Sequence, residues 1–151
     1  MEKETLLVRA EKAGVIVHWT SPARAADDIR AFLGGRTVCI SSELTLALTE
    51  SNTAPADAEA GVAPAHRWAQ ETATAVVSGP DLATLLPPVS VLIVDGKNIV
   101  PSFDDLMDFI HLRPGRWFAC VTGPSRTADI EKVLVIPAHG PKELHLFVVE
   151  Q

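Results

Sequence analysis

The sequence predicts an α/β fold in which helices are layered on a mostly parallel sheet. Three observations predict it. Helical apolar spacing alternates with short apolar runs along the chain. Residues 89–94 form a short run that is apolar but for Ser90, the pattern of a strand buried on both faces of a parallel sheet. No internal repeat interrupts the alternation.

The elements follow in order. Leu6, Ala10 and Ala13 recur at helical spacing, with Glu2 and Glu4 early, Lys12 late and Gly14 as a stop. Residues 15–19 read as a strand. Ser21-Pro22 reads as an N-cap with proline at the first helical position, and Ala25, Ile29, Phe32 and Leu33 give that helix its apolar face. Gly34-Gly35 ends it, and 37–40 is a second strand. Residues 49–65, rich in Ala, Pro, Asp, Glu, Ser, Asn and Thr, carry no period and read as a long loop. A short helical segment is expected around 66–70, a β-prone run over 72–77, and a helical turn or two over 81–86, stopped by Pro87-Pro88. Ser102 caps a helix with Asp104 and Asp105 in its first turn and His111 at its end. Residues 117–121 form a strand. Ile130, Val133 and Leu134 suggest a short helix ended by Pro137, and 144–149 is the terminal strand.

At 151 residues, the chain is of one-domain length. It carries a net charge of −6 and no basic stripe, which argues against nucleic acid as a partner. Its apolar runs are too short to span a bilayer, and the charged N-terminus lacks a signal-peptide core. A cytoplasmic protein with no membrane partner is the expectation. Cys39 and Cys120 sit inside apolar runs and read as buried thiols in a reducing compartment. They cannot form a Cys-x-x-Cys site, so this chain alone holds no iron–sulfur cluster. No His-x-x-x-His or His-Glu-x-x-His spacing occurs, so no metal site is expected.

Three segments carry candidate chemistry. In 121–130 an apolar run enters a Gly-Pro turn, and a polar cluster with one arginine leads into an expected helix. Gly123 would let a ligand approach the backbone, Ser125 and Thr127 offer hydroxyls, and Arg126 can hold a carboxylate or phosphate bidentately. Helix capping by Ser125 or Thr127, with Asp129 and Glu131 suiting the dipole, explains the same residues equally well. His139-Gly140-Pro141 puts a histidine at a turn just before the last strand. It can serve as a general base, or it can be an ordinary turn histidine. Glu71-Thr72-Ala73-Thr74 offers a carboxylate with hydroxyl neighbours, or a solvated glutamate before a β-prone stretch. His18 and His66 show no partner pattern.

Taken together, Thr122-Gly123-Pro124-Ser125-Arg126-Thr127-Ala128-Asp129-Ile130-Glu131 and His139-Gly140-Pro141-Lys142-Glu143-Leu144-His145 resemble the C-terminal signature of the LUD domain of lactate-utilisation proteins, most of all its LutC-type members. Ala69-Gln70-Glu71-Thr72-Ala73-Thr74 is similar to that family's Ala-Glu-Thr-Gly-Thr element. Leu85-Leu86-Pro87-Pro88 and Ile99-Val100-Pro101-Ser102 resemble the stretches that follow it. The likeness runs from Gly61 onward and, more loosely, through the first two helix–strand pairs.

The resemblance implies a single LUD domain over 1–151. It implies a Rossmann-like three-layer fold, similar to the ribose-5-phosphate isomerase, glucosamine-6-phosphate deaminase and CoA-transferase group. It implies a component of L-lactate oxidation to pyruvate, with iron–sulfur clusters in partner proteins. The candidate catalytic residues are then Glu71 and His139. The candidate ligand residues, for a small carboxylate or other anion, are Thr72, Thr74, Gly123, Ser125, Arg126, Thr127, Asp129 and Gly140. Fold likeness alone also allows a free-standing sugar-phosphate or CoA-ester binder, or a ligand-free interaction module. Ala73 stands where the family has glycine; if the backbone there needs a positive φ, alanine costs on the order of 1 kcal/mol. Ile136-Pro137-Ala138 also departs from the family's glycine-containing approach to His139.

Overall fold

The computed structural model describes residues 2–48, 52–78, 83–124, 127–128, 134–135 and 140–151. The elements are α1 (Lys3–Lys12), β1 (Val15–Thr20), α2 (Ala25–Leu33), β2 (Val38–Ile40), β3 (Ala60–Pro64), β4 (Arg67–Ala69), β5 (Thr74–Ser78), β6 (Val89–Asp95), a 3-10 turn (Gly96–Asn98), β7 (Ile99–Val100), α3 (Phe103–His111), β8 (Phe118–Val121), β9 (Thr127–Ala128), β10 (Leu134–Val135) and β11 (Glu143–Val149).

The central sheet has the strand order β1-β11-β6-β3-β2, and every pairing in it is parallel. The apolar run at 89–94 is β6, held between β11 and β3 as its composition requires. Alternation along it serves two cores. Val91 and Ile93 pack with Ile29, Leu33 and Phe147 on the α2 side. Leu92 and Val94 pack with Leu6, Leu144, Leu146 and Trp68 on the other. Each fully buried Leu, Val or Ile contributes about 1.5–3 kcal/mol relative to exposure. A second, mixed sheet, β7-β4-β5-β8, covers that other face together with α1. Helix α3 closes its outer side through Leu106, Phe103 and Ile110 against Ala69 and Val76. The molecule is a Rossmann-like α/β layer structure with a mostly parallel central sheet.

Several expectations need correction. The loop expected over 49–65 stops short, because residues 60–64 form β3 inside the central sheet. Their small side chains hide the strand from any periodicity argument, yet the position demands smallness. A Cβ on Gly61 would fall 1.6 Å from the Ala83 carbonyl oxygen. The helical segment expected at 66–70 is strand β4, because pairing with β5 and β7 outweighs weak local preference. Helix α2 starts at Ala25, since the Ser21 carbonyl first accepts from Arg24 and Ala25 N–H and closes a turn. The strand at 117–121 lies in the second sheet, antiparallel to β5.

The short helix expected to contain Leu134 is also revised. Leu134 and Val135 pair antiparallel with Ala128 and Thr127 as a two-stranded ribbon. The run Val133-Leu134-Val135-Ile136 is rich in β-branched residues, which favour extended backbone over helix. Cys39 is buried as expected, but Cys120 is exposed on the edge strand β8, and the two form no disulfide.

Candidate functional site

Two of the three candidate segments meet through strand pairing. Ala75 lies opposite Val121 in the β5–β8 pair, which sets Thr74 beside Thr122. Their hydroxyl oxygens are 2.6 Å apart. Thr74 also donates to the Thr72 carbonyl at 3.4 Å, which leaves the Thr122 hydroxyl as donor to Thr74. Ala73, just before β5, is buried with φ 53, so the family's glycine position does require left-handed backbone.

Glu71 and Thr72 are exposed at the mouth of this turn. The Glu71 carboxylate accepts from Phe103 N at 3.3 Å, at the start of α3. It lines a shallow depression with Arg9, Thr5 and Gln70. Gly123 has φ 69, and a Cβ there would lie 2.0 Å from the Ala13 carbonyl oxygen. The space beside its α-carbon is therefore filled by the end of α1 rather than open to a ligand.

Val15, just after Ala13, pairs with Leu144. Gly123 and the segment containing Gly140 thus share the amino end of β1 and β11, where Lys142 N donates to the Pro88 carbonyl at 2.7 Å. Thr127 lies in β9. Ser125, Arg126, Asp129 and His139 lie outside the described residues, as do Ile130, Val133 and Pro137 of the expected helix.

A cavity of about 450 Å³ opens at the other end of the sheet, at the carboxyl ends of β3, β6 and β11. That is where open α/β sheets take ligands. Pro64, Ile93, Asp95 and Val149 supply the strand ends. Leu44 and Leu46, on the segment after β2, form one wall, and Phe109 of α3 forms another. Arg67, Asn98 and His66 bring the polar groups. The sequence offered little sign of this site, because its parts come from separate elements and share no local spacing.

The wall carrying Leu44 and Leu46 is pinned by a polar cluster. His66 Nε2 lies 2.6 Å from Ser78 Oγ and 3.1 Å from Glu43 Oε2. Ser78 Oγ donates to the same Glu43 oxygen. Arg116 Nη2 donates to Glu43 Oε1 at 3.1 Å and to Ser78 Oγ at 3.2 Å. The Ser78 bond, aided by Arg116 and His66, holds the Glu43 carboxyl below its ordinary range. Burial pushes the His66 imidazole below its ordinary value, against the opposing pull of Glu43. The trio is not a nucleophile relay. A serine–histidine–carboxylate triad needs the acid on the ring nitrogen remote from serine, and here both partners meet Nε2. Its work is to fix the wall.

A hydrogen-bonded chain on the α2 face, buried only at His145, links Glu143, His145 and His18. His145 Nε2 donates to Glu143 Oε2 at 2.9 Å, so its Nδ1 accepts from His18 Nε2–H at 2.9 Å. His18 stacks on Phe147, with ring centroids 4.4 Å apart. Burial, then the neighbouring His145, lowers the His18 pKa. Among the described residues no group of three His, Cys, Asp or Glu is placed to hold a metal ion. No described helix is long and apolar enough to cross a membrane.

Comparison with known proteins places this architecture. Lactate utilization protein C of Halalkalibacterium halodurans is 34% identical over 73 residues, covering 44% of this chain and 32% of that protein. The uncharacterized protein YkgG of Escherichia coli K12 is 33% identical over 73 residues, with the same coverage. The match thus spans about a third of the length of these curated relatives. A crystal structure of a DUF162 family protein from Deinococcus radiodurans superposes with a TM-score of 0.75 at 18% identity, covering 97% of this chain and 95% of that one. That likeness bears on the fold. The profile of the LUD domain matches residues 73–149, from the left-handed Ala73 through the Thr122–Gly123 turn to the end of β11. The chain belongs to the LUD domain family.

Proposed function

We propose that this chain serves in L-lactate utilisation, as a component of a system that oxidises lactate to pyruvate. The observation that carries the reading is the LUD profile match over residues 73–149, which spans the motif at 122–131 and the segment leading into β11. The 34% identity to a lactate utilization protein C supports it. Oxidation of the lactate C–OH to C=O releases two electrons and two protons. The electrons need an acceptor, and the two cysteines of this chain fall short of the four thiolates of a common iron–sulfur cluster. The acceptors in this reading are iron–sulfur partner proteins in the cytoplasm.

In the same reading Arg126, with Ser125, Thr127 and Asp129, holds a small carboxylate or meets the redox partner. Glu71 and His139 are its acid–base candidates. The hydroxyl pair Thr74–Thr122 joins the segment of Glu71 to the turn that precedes Ser125 and Arg126 in sequence.

Affinity purification of the tagged chain from its native host, grown on L-lactate, tests the partnership. Brown iron–sulfur proteins should co-elute, and Arg126→Ala should weaken their retention without unfolding the chain. Elution of the tagged chain alone, under conditions where the iron–sulfur proteins are expressed, contradicts it.

A further inference from the structure

Arg67 is the one permanent cation on the wall of the 450 Å³ cavity among the described residues. Its Nη1 donates to the His66 carbonyl at 2.7 Å and to Asn98 Oδ1 at 2.7 Å. Both acceptors are neutral. No carboxylate of the described residues lies within 4.0 Å of the guanidinium, and its other N–H donors have no acceptor among them. The guanidinium carbon stands 4.5 Å from the centre of the Phe109 ring, and Arg113 stands 3.8 Å from the same centre. A half-buried charge with neutral partners and a cation as neighbour is costly, and a bound anion offsets that cost.

The rest of the wall says which anion. Leu44, Leu46, Ile93 and Phe109 are apolar and can take a hydrocarbon body. Asp95 also lines the cavity, and its carboxylate is already paired with Lys97 at 3.0 Å. A fixed negative charge on the wall disfavours dianions such as phosphate esters. A three-carbon acid, roughly 150 Å³ on the scale of about 30 Å³ per water-sized group, would leave most of the space unfilled.

We propose that this cavity binds a monocarboxylic acid with an apolar body larger than lactate. Its carboxylate is taken by Arg67, and its body lies against Leu44, Leu46 and Phe109. The proposal stands on the surroundings of Arg67 and does not depend on the lactate reading.

Titration of the full chain with octanoate, followed by calorimetry and by amide shifts of Leu44, Leu46 and Ile93, tests it. Octan-1-ol serves as the uncharged counterpart and inorganic phosphate as the competing anion. Octanoate should bind, move those amides and bind at least roughly tenfold more tightly than octan-1-ol, with phosphate inert. Arg67→Gln should weaken octanoate by roughly tenfold or more. Asn98→Asp should do the same while raising the melting temperature, because it gives Arg67 an internal carboxylate. That second variant decides the matter if Arg67→Gln fails to fold. No octanoate binding at millimolar concentration, equal affinity for octan-1-ol, or unchanged octanoate affinity in a folded variant overturns the proposal.

Discussion

Ala73 holds φ 53 while fully buried, a conformation that costs an L-residue with a Cβ about 1–2 kcal/mol. Glycine would relieve that strain but forfeit roughly 0.8 kcal/mol of buried methyl. Glycine also adds about 0.4–1 kcal/mol of conformational entropy to the unfolded chain, so Ala73→Gly should stay within about 1 kcal/mol of the parent in urea unfolding. Ala73→Val should lose about 2 kcal/mol or more, since a β-branched side chain suits neither the backbone nor the packed site. Gly123→Ala meets a harder obstacle, a backbone oxygen 2.0 Å from the new Cβ, and should destabilise by about 2 kcal/mol or more. Equal stability of Gly123→Ala and the parent would mean that α1 does not pack there. Local turn chemistry made a glycine turn at Gly123 legible in the sequence, whereas at Ala73 only the family resemblance pointed to glycine. The partner at Gly123 was not legible, because Ala13 reaches it only through the tertiary fold.

Elements with strong local signals are legible in the sequence, helix α3 most clearly. Ser102 Oγ accepts from Asp105 N at 3.2 Å, and the Asp105 carboxylate accepts from Ser102 N at 3.1 Å, a complete capping box. Ser102→Ala should cost about 1 kcal/mol in thermal unfolding. Strand β3 and strand β4 are not legible in the sequence, because Ala60–Pro64 and Arg67–Ala69 have no alternation to read and pairing alone makes them strands.

The segment after β2 depends on Glu43, and its stability should follow pH. Glu43 titrates below its ordinary value of 4.5 and His66 below 6.5. In both cases the unfolded chain takes the proton first, so acid favours unfolding. Stability should be full above pH 6.5, decline as His66 becomes able to protonate in the unfolded chain, and decline again below 4.5 as Glu43 does so. Glu43→Gln should flatten the second decline and speed amide exchange at Leu44 and Leu46. Exchange at the parent rate would show that the cluster does not hold the wall.

For the whole molecule, the parallel central sheet was legible in the apolar run of β6 and in the alternation of helix and strand. The second sheet was not, since hydrophobic pattern alone does not say which strands share a sheet. The same layering explains why the site was only half legible. The motifs at Glu71–Thr74 and Thr122–Gly123 are local and were readable as motifs, and β5–β8 pairing joins them. The cavity at the opposite end gathers Arg67, Asn98, Phe109 and Leu44 from four separate elements. Its chemistry exists only once the chain is folded.

The central claim, a role in lactate utilisation, is tested most directly by growth. The gene for this chain is deleted from its native host, and growth on L-lactate as sole carbon source is compared with growth on pyruvate. Lactate growth should be lost, pyruvate growth kept, and the defect repaired by the parent chain but not by Arg126→Ala. Undiminished growth of the deletion strain on L-lactate would contradict the account.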